Sequence, residues 1–564
     1  MVNQTFDKYK KRFDGLSPME RVNWRRWKLN MLKDIKTISM KGPPRLSARL
    51  RKGTRDLKEL NVVLKQADKN LGMVPIRGDI YNAMVRDHLE SSTYRRVGQF
   101  PHQAVCKRLE NIIKLRTSSI PLERKKDWVA QAQQSKEPCP FYAIPKIHKP
   151  TLSSRPITAQ HSYMLAPLSQ ALAKVLQPIC DRLDEIARDS KMVVQQLETR
   201  TVEDPCVFLT YDVEKLYPSI NLRDAISTLQ ENIPMMRQDQ GFWTKVLQLI
   251  MYNNYVLWDD KVYRQMEGTA TGTQVAPPFA NLYLFFKFKN IFDEEGPNII
   301  YQSRFLDDGL VLARSNQDAE RIIQKLNNTT NLTLTHQISD QEGTYLDLDV
   351  YKGRRYKQEK LVDIKVHFKG TNKFLYLPAL SNHPGAHKAA IVKGEAIRCL
   401  RNTSDKIEWL KALHLIFKGL MARGYSGKMI KRKWKEVRFE DRQKYVFESS
   451  QATRPPGTTV IVPFHREAKA QWRRMTAKHP LKNLLAARRF GRLNNKQRSI
   501  LEDWPPSIVY KDFRKIGGMV INAREVWKSI TVRNQDRNAQ TVTGIDQTDN
   551  STVQTTVENN GQQP

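Results

Sequence analysis

Three aspartates in this sequence stand where carboxylate chemistry can be built. Asp212 ends a continuous apolar run in CVFLTYDVEKLYPSI, which predicts a buried strand. Asp307 and Asp308 stand between two apolar runs in SRFLDDGLVLA, which predicts a hairpin with the pair at its apex. If the two elements are neighbours in one sheet, three anions converge and need divalent cations, for which oxygen ligands suit Mg²⁺. Two such ions about 3.5–4 Å apart can activate a hydroxyl and stabilise a leaving pyrophosphate.

A second aspartate pair has the same local setting. Asp259 and Asp260 stand between apolar runs in YVLWDDKVYRQ, which also predicts a hairpin. Aspartate is an ordinary turn residue, so either pair can serve only the turn. The local pattern therefore leaves the choice between the two pairs open.

The elements around these aspartates predict an α+β fold. The order strand–helix, then helix–hairpin–strand, is typical of a ferredoxin-like unit. Residues 141–160 predict a Pro-punctuated hairpin that carries several basic side chains, and residues 163–200 predict one long helix. Two strands are predicted at LTLTHQIS and TYLDLDVYKG, and helices are predicted to dominate residues 385–530.

Composition favours a polyanionic partner. The 564 residues include 94 Lys and Arg against 58 Asp and Glu, a formal net charge of +36, which points to nucleic acid. Aromatic residues are interleaved with the basic ones in NWRRWKLN, IKRKWKEVRF and AQWRRM, as in surfaces that grip phosphates and stack bases. No run approaches the roughly 18 apolar residues of a membrane span, so no membrane role is expected.

The cysteines favour a reducing compartment. They are odd in number and scattered, and none forms a CxxC pair, so neither a disulfide framework nor a zinc site is expected. The five are Cys106, Cys139, Cys180, Cys206 and Cys399. The first residues lack the apolar core of a secretory signal.

The aspartate segments belong to an ordered set of motifs. YDVEKLYPSI, GTATGTQVAPPFANLYL and SRFLDDGLVLA together resemble the palm motifs of reverse transcriptases, in the same order. The resemblance implies that Asp212, Asp307 and Asp308 are the catalytic ligands of two Mg²⁺ ions, with Mn²⁺ as a substitute. It also implies that Asp259 and Asp260 are turn residues, because the family has no catalytic group at that point.

Flanking segments narrow the resemblance to the reverse transcriptases of Penelope-like retroelements, over residues from about 60 to about 525. The resemblance implies a right-hand polymerase with an RNA template, a DNA primer 3′ end and deoxynucleoside triphosphates as partners. The segments are QADKNLGMVPI, YAIPKIHKP with SRPITA, GTQVAPPFAN, YLDLDVY, SNHPGAHKAAIVKGEAIRCLRN and WPPSIVYKDFRKIGGMVINAR.

The same resemblance, with the composition, divides the chain into five parts. They are a basic helical extension at 1–60, fingers at 61–200, a ferredoxin-like palm at 201–370, a helical thumb and nucleic-acid-binding region at 371–530, and a polar tail at 531–564. The tail has almost no large apolar residues and is predicted to be disordered.

The resemblance assigns further nucleotide-binding residues. Tyr217 falls where the family places the ring that clashes with a 2′-hydroxyl, although a packed core tyrosine is an alternative. Arg155 and Lys146 resemble the fingers residues that clamp a triphosphate, with Lys149 and His148 left open as alternatives to Lys146. The resemblance also places Gly272 and Gln274 at the nucleotide and template, and His383 and Lys388 at the primer–template, each with a structural role as its alternative.

The chain also departs from the family pattern. No GIY-YIG endonuclease or ribonuclease H pattern is apparent, so an endonuclease-lacking type is expected, a kind associated with priming at exposed DNA ends, telomeric ones included. No obvious lysine precedes YLDLDV to protonate pyrophosphate, and His336 is a candidate for that role. The family and the basic run at 428–435 suggest a nuclear location.

Two other functions remain open at the level of sequence. One is a catalytically inactive or domesticated RNA-binding protein that retains the polymerase fold, against which the intact set of three aspartates argues. The other is an RNA-templated RNA polymerase, against which Tyr217 argues.

Overall fold

The computed structural model describes residues 55–56, 59–115, 120–330, 332–381, 383–448, 459–463 and 507–511. Residues 55–381 and 385–452 form one unit, which contains every element from β1 to α15 below. The predicted basic extension lies almost wholly outside the described residues, as do the predicted disordered tail and most of residues 449–530.

The helices of the described residues are α1 (Gly78–Leu89), α2 (His102–Ile113), α3 (Leu122–Gln134), α4 (Ala166–Cys180), α5 (Ser190–Glu198), α6 (Leu216–Ser219), α7 (Leu222–Asn232), α8 (Pro234–Tyr252), α9 (Ala276–Glu294), α10 (Asn316–Thr329), α11 (Arg354–Glu359), α12 (Gly385–Arg401), α13 (Lys406–Ala422), α14 (Gly427–Trp434) and α15 (Arg442–Phe447).

The strands of the same residues are β1 (Val62–Gln66), β2 (Met73–Arg77), β3 (Tyr94–Val97), β4 (Cys139–Lys146), β5 (Ser153–Thr158), β6 (Val207–Val213), β7 (Tyr255–Trp258), β8 (Lys261–Gln265), β9 (Ile299–Phe305), β10 (Asp308–Ala313), β11 (Leu334–Ser339), β12 (Glu342–Tyr345), β13 (Leu348–Tyr351), β14 (Asp363–Val366), β15 (Thr459–Pro463) and β16 (Ser507–Lys511). The last two form a parallel pair outside the main unit.

The central sheet confirms the predicted ferredoxin-like palm. Its four strands are antiparallel and run in the order β11-β6-β10-β9. With α7 and α8 between β6 and β9, and α10 between β10 and β11, this is the strand order expected for a split βαβ unit. The chain therefore has the α+β class that the sequence predicts.

The two faces of the palm sheet have different neighbours. Phe208, Leu310 and Leu312 share one face and pack in a buried cluster with Tyr345 and other side chains of the three-stranded sheet β12-β13-β14. Tyr211 and Val311 lie on the other face, beside the aromatic side chains Phe285, Phe288 and Phe292 of α9. Since both faces are covered, β6 and β10 are almost continuously apolar rather than alternating.

Two further sheets precede and interleave with the palm. The strand order β3-β8-β7-β4-β5 forms a five-stranded sheet, and β1 pairs with β2. The predicted hairpin at 141–160 is confirmed as β4–β5, and β4 alternates buried and less buried side chains, the pattern of a strand with one covered face. The β7–β8 hairpin is closed by Asp259 and Asp260, at φ 51° and 53°.

Two sequence-based predictions of element extent are wrong. The single helix predicted over 163–200 is two helices, α4 and α5, because residues 185–187 between them pair with β9: the Arg304 amide donates to the Glu185 carbonyl, and the Ala187 amide donates to the Arg304 carbonyl. Asp189 then caps α5 by accepting a hydrogen bond from the Met192 amide. The strand predicted at TYLDLDVYKG is a hairpin, β12–β13, with Leu346 and Asp347 at its turn. Leu346 has φ 58°, a conformation that strand periodicity does not reveal.

Helices α12, α13 and α14 pack around their own core. Val392, Ala396 and Ile416 are fully buried there, together with Leu420 and Ile430. Gly424 lies in the link between α13 and α14 at φ 83°. Ser426 caps α14, because its side chain accepts a hydrogen bond from the Met429 amide. This is the helical architecture predicted after the palm, up to residue 448. Across the described residues, no helix has the length and apolarity to cross a bilayer, and the five cysteines are buried free thiols.

Candidate active site

The register of the palm sheet brings the predicted carboxylates together. Asp212 on β6 lies directly opposite Asp308, the first residue of β10. Asp307 occupies the two-residue turn before Asp308, and its carbonyl accepts a 2.8 Å hydrogen bond from the Val213 amide. Directly opposed residues share one face of a sheet, so the Asp212 and Asp308 side chains emerge together at the strand ends.

These carboxylates repel one another. The pKa of Asp308 is raised to about 6: burial is the largest cause, the charges of Asp212 and Asp307 contribute to the increase, and the hydrogen bond from the Leu346 amide opposes it. Burial also raises the pKa of Asp212, and Asp307 adds to that shift. The cations that oppose these effects are Lys69 and Lys149 for Asp212 and Lys369 for Asp308, and they act more weakly than burial does. The strand ends therefore form an anionic site, in which the nearby lysines do not fully offset the effects of burial and carboxylate repulsion.

The donor set fits Mg²⁺. Within the described ranges, no three His, Cys, Asp or Glu side chains form a closed metal site. Mg²⁺ does not require one, because it keeps several waters and binds through one or two carboxylates plus substrate phosphates. Asp212 and Asp308 would hold the ions, with Asp307 beside them. When bound, Mg²⁺ would lower the pKa of a primer hydroxyl and stabilise charge on the phosphates.

A buried arginine fixes the apex of this hairpin. Arg304 on β9 is 5% exposed, and one of its Nη atoms donates to the carbonyl of Leu306 (2.8 Å) and to Oδ1 of Asn281 on α9 (3.0 Å). The other Nη donates to the Asn281 carbonyl at 2.7 Å. The hairpin turn is thus tied to α9. Sequence reasoning missed Arg304, and its only signal was a charged residue inside an apolar strand.

Gly309, next to Asp308, allows the Tyr211 ring to pack against the backbone of β10. The Tyr211 ring covers Gly309, and a Cβ at position 309 would lie 2.2 Å from the ring's Cζ. Tyr211 is itself buried, which raises its pKa to about 12. Position 309 therefore has room for glycine alone.

The basic residues predicted on β4–β5 lie on one side of that hairpin. Lys146 pairs with Ser153, and Arg155 pairs with Ile144, so both basic side chains lie on the same face. Burial lowers the pKa of Lys146, and Arg155 and Lys149 add to the decrease. A guanidinium Nη of Arg155 is 3.4 Å from a carboxylate oxygen of Asp68. Sequence reasoning named Lys146 and Arg155 and left Lys149 open, and Lys149 is the one of these that acts on Asp212.

Lys69 joins this group of cations and was not predicted. It is exposed, has φ 56°, and lies in a short turn after β1. Burial lowers its pKa, and Lys369 and Lys149 lower it further, whereas Asp68 raises it. Its segment QADKN was recognised as a polar turn, but nothing in the local pattern reveals that the turn faces Asp212.

Tyr217 lies close to the carboxylates, and the glycine-rich loop holds its backbone. It is half-buried on α6, and its pKa is raised to about 12, by burial first and then by Asp307. The Tyr217 carbonyl accepts a 2.8 Å hydrogen bond from the Thr269 amide. Gly268, at φ 67°, would place a Cβ 2.4 Å from the same carbonyl oxygen. The loop therefore needs glycine to approach Tyr217.

Gly272 and Gln274 lie in the same loop. Gly272 has φ 116°, and a Cβ there would lie 2.2 Å from the Thr158 carbonyl oxygen of β5. The glycine thus allows the loop to approach the β4–β5 hairpin, which is the structural alternative for this residue. Gln274 is exposed just before α9.

The remaining predicted residues have separate surroundings. Lys388 on α12 donates to the carbonyls of Ala379 (2.6 Å) and Ser381 (2.7 Å), so it stabilises the preceding loop. His383 lies in the loop before α12. His336 pairs with Tyr211 across β11 and β6, whereas Thr335 pairs with Asp212. His336 is therefore on the opposite face from the carboxylates, which does not favour it as the acid for pyrophosphate.

Comparisons with known proteins agree with this geometry over part of the chain. Residues 147–335 match the family model described as reverse transcriptase (RNA-dependent DNA polymerase). Residues 375–435, which include α12, α13 and α14, match the model of the animal helix-turn-helix domain. No curated protein matches the sequence.

Solved structures of polymerases resemble the chain distantly. A telomerase from Candida albicans, in complex with a fragment of telomeric RNA, has 11% identity and a TM-score of 0.45 over 68% of this chain and 65% of its own. An RNA-dependent RNA polymerase of a human picobirnavirus has 13% identity and a TM-score of 0.43 over 77% of this chain and 87% of its own. The chain thus spans slightly less than two thirds of that telomerase.

The family match and the sheet register concern the same residues. Asp212, Asp307 and Asp308 all fall inside the matched range, as do Arg155 and the loop that holds Tyr217. The chain therefore contains a reverse transcriptase domain at residues 147–335.

Proposed function

We propose that this protein is an RNA-directed DNA polymerase that extends a DNA 3′ end on an RNA template by two-metal nucleotidyl transfer. The observation that carries the proposal is the pairing of Asp212 with Asp308, next to Asp307, within the reverse transcriptase match. Carboxylates that raise one another's pKa at an open strand end are suited to bind Mg²⁺ and nucleotide phosphates together.

The other residues then have defined tasks. The cations Arg155, Lys146, Lys149 and Lys69 bind the triphosphate of the incoming nucleotide, with Arg155 able to act as a bidentate donor. Tyr217, held by the glycine-rich loop, occupies the place where a 2′-hydroxyl would enter, so the enzyme selects deoxynucleotides. The support for both tasks is electrostatic: Lys69 and Lys149 lower the pKa of Asp212, and Asp307 raises the pKa of Tyr217.

The helices after the palm bind the primer–template duplex. The basic residues of α14 and its C-terminal end include Lys428, Lys431, Arg432 and Lys435, all exposed. Exposed cations on one short helix suit contact with phosphates along a duplex. The match to a helix-turn-helix model over 375–435 supports a nucleic-acid role for this region.

The finer identity of the element also remains a proposal. We infer a Penelope-like reverse transcriptase that acts in retroelement replication at exposed DNA 3′ ends, chromosome ends among them, in the nucleus. Its support is the ordered set of motifs from QADKNLGMVPI to WPPSIVYKDFRKIGGMVINAR in the sequence.

Primer extension tests the activity. Purified protein with Mg²⁺ or Mn²⁺ should extend a DNA primer on an RNA template with deoxynucleotides, and Asp212→Asn should abolish the extension. Tyr217→Ala should increase the use of ribonucleotides relative to deoxynucleotides. Metal-independent RNA binding without incorporation would instead favour a binding protein, and preference for ribonucleotides in the wild type would favour an RNA polymerase.

A further inference from the structure

The turn between β12 and β13 contacts the candidate catalytic site. The Leu346 amide donates a 3.1 Å hydrogen bond to Oδ2 of Asp308. Leu346 has φ 58°, between the paired residues Tyr345 and Leu348. A leucine in the left-handed region is strained, and such a conformation persists only where surrounding contacts hold it. The Leu346 side chain packs against the buried cluster of the palm, and the polar contacts of the turn come from its second residue, Asp347.

Asp347 collects donors from several parts of the fold. Its Oδ2 accepts hydrogen bonds from Arg398 Nη1 (3.0 Å) and Asn402 Nδ2 (3.1 Å), at and just after the end of α12. Its Oδ1 accepts from the hydroxyl of Ser190, at the start of α5. Its carbonyl accepts from the His367 amide at 2.8 Å. One turn residue thus joins α5, the segment after β14 and α12.

Arg398 has further contacts that fix it to α12. Its other Nη donates to Glu395 at 3.1 Å, one turn earlier on the helix. Its guanidinium lies 5.6 Å from the centre of the Phe368 ring. Because Arg398 is held on its own helix, a change in the position of α12 moves the donor that Asp347 needs.

We propose that Asp347 is a positioning residue, which holds the Leu346 amide against Asp308 and so couples the orientation of that carboxylate to the position of helix α12. The inference rests on the proposed polymerase function, in which α12 belongs to the helices that bind the duplex. With Oδ2 of Asp308 engaged by the amide, the plane of the carboxylate is fixed and Oδ1 is left for the site. Without Asp347, the strained turn relaxes and the carboxylate rotates.

A matched pair of variants tests this role. Asp349 lies on the same hairpin and accepts hydrogen bonds from Thr344 (2.8 Å) and His367 Nδ1 (2.8 Å), so Asp349→Asn is the control. We expect Asp347→Asn to lower kcat for deoxynucleotide incorporation by about 10- to 100-fold with less than about twofold change in KM for the nucleotide, the range typical of a misplaced catalytic group. Asp349→Asn should remain within about twofold of the wild type.

A double-mutant cycle examines the link to α12. Arg398→Met should reproduce the loss in kcat, and the double variant Asp347→Asn with Arg398→Met should lose no more than the larger single effect, as groups that act as one unit do. Full additivity of the two losses would overturn the coupling. If Arg398→Met does not fold, Arg398→Lys, which keeps the charge and loses the fork, replaces it and should show a smaller loss in the same parameter.

An assay without turnover separates this inference from the proposed function. In metal-free protein, hydrogen exchange at the amides of residues 342–351 should be at least about tenfold faster in Asp347→Asn than in Asp349→Asn, because the anchor of the turn is lost. Failure of the wild type to incorporate nucleotides would refute the polymerase function and leave this measurement standing. Wild-type kcat and unchanged exchange in Asp347→Asn would overturn the positioning role alone.

Discussion

Two hairpins of this molecule contain an adjacent pair of aspartates, and the structure gives the pairs different positions. In the β7–β8 hairpin, Asp259 and Asp260 form the whole turn, at φ 51° and 53°. In the β9–β10 hairpin, the turn is Leu306 and Asp307, and Asp308 is already a strand residue opposite Asp212. In the β9–β10 hairpin the turn lies one residue earlier relative to the aspartate pair, and this offset places the Asp308 carboxylate on the sheet.

The difference shows which contacts define each hairpin. Aspartate tolerates positive φ, so the β7–β8 turn is satisfied by local chemistry. Leu306, at φ 54°, has no such advantage and is held through its carbonyl by the buried Arg304. The first turn follows from its own residues, whereas the second is held by Arg304, which is itself bound to Asn281 of α9.

The largest expected difference between the hairpins is in catalysis. Asp307→Asn should reduce nucleotide incorporation by at least about 100-fold, since under the proposed two-metal mechanism the ions that these carboxylates would hold supply several kcal/mol of charge stabilisation. Asp260→Asn should change it by less than about twofold, because asparagine also accepts positive φ. Single-turnover primer extension measures both. A comparable loss in the two variants would contradict the assignment of the catalytic pair.

The next difference is in the anchoring of the turns. Arg304→Ala should lower the free energy of unfolding by about 3 kcal/mol or more, because the buried Arg304 side chain is removed and half-buried acceptors on Leu306 and Asn281 lose a charged donor. Lys261→Ala should lower it by less than about 0.5 kcal/mol, because the ion pair of Lys261 with Asp259 spans 3.8 Å at the surface. Urea unfolding compares them, and equal losses would show that Arg304 does not hold the hairpin.

A smaller difference is expected in the pH dependence of stability. The pKa of Asp308, about 6, is above its ordinary value of 3.8, so the folded state binds this proton more tightly than the unfolded state does. The stabilisation from protonation is fully present below pH 3.8 and is lost as the pH rises to about 6. Asp308→Asn should therefore stabilise metal-free protein at pH 7 by about 1–2 kcal/mol. Urea unfolding at pH 4 and pH 7 measures this, with Asp260→Asn as the variant expected to show no gain.

The smallest expected effect concerns the stability of the β7–β8 turn. Replacing Asp259 and Asp260 together by Asn and Gly should raise the free energy of unfolding by about 0.5–1 kcal/mol, since this dipeptide favours two residues of positive φ. Incorporation should be unchanged. A thermal melt and primer extension on the same preparation are sufficient, and a loss of incorporation would indicate that this hairpin contributes to the site.

The sequence predicted the palm well because its elements carry their own signals. The apolar runs of β6 and β10, the amphipathic α10 and the position of the aspartates are all visible in the order of residues, and the strand order follows from the ferredoxin-like pattern. The helix break before Ser190 and the turn at Leu346 were missed, because the break follows from pairing with β9 and the strained φ depends on partners elsewhere in the fold.

The residues of the candidate site also differ in whether the sequence predicted them. Residues whose type and motif indicate chemistry, such as Asp212, Arg155 and Tyr217, were predicted from the sequence. Arg304, Lys69 and Asp347 were not, since each is an ordinary charged residue until the fold shows what it contacts. A single sequence identifies the groups that could react more readily than the groups that orient them.

The contact between Gly309 and the Tyr211 ring has a consequence for mutational tolerance. Positions 308 and 309 are adjacent, yet different demands restrict them: a charged ligand at one, and empty space at the other. A randomised library sorted for soluble expression should keep many amino acids at 308 and glycine at 309. The same library sorted for DNA synthesis should keep a single amino acid at each position. Comparing the two outcomes would show that position 308 is restricted by its chemistry and position 309 by the volume available to its side chain.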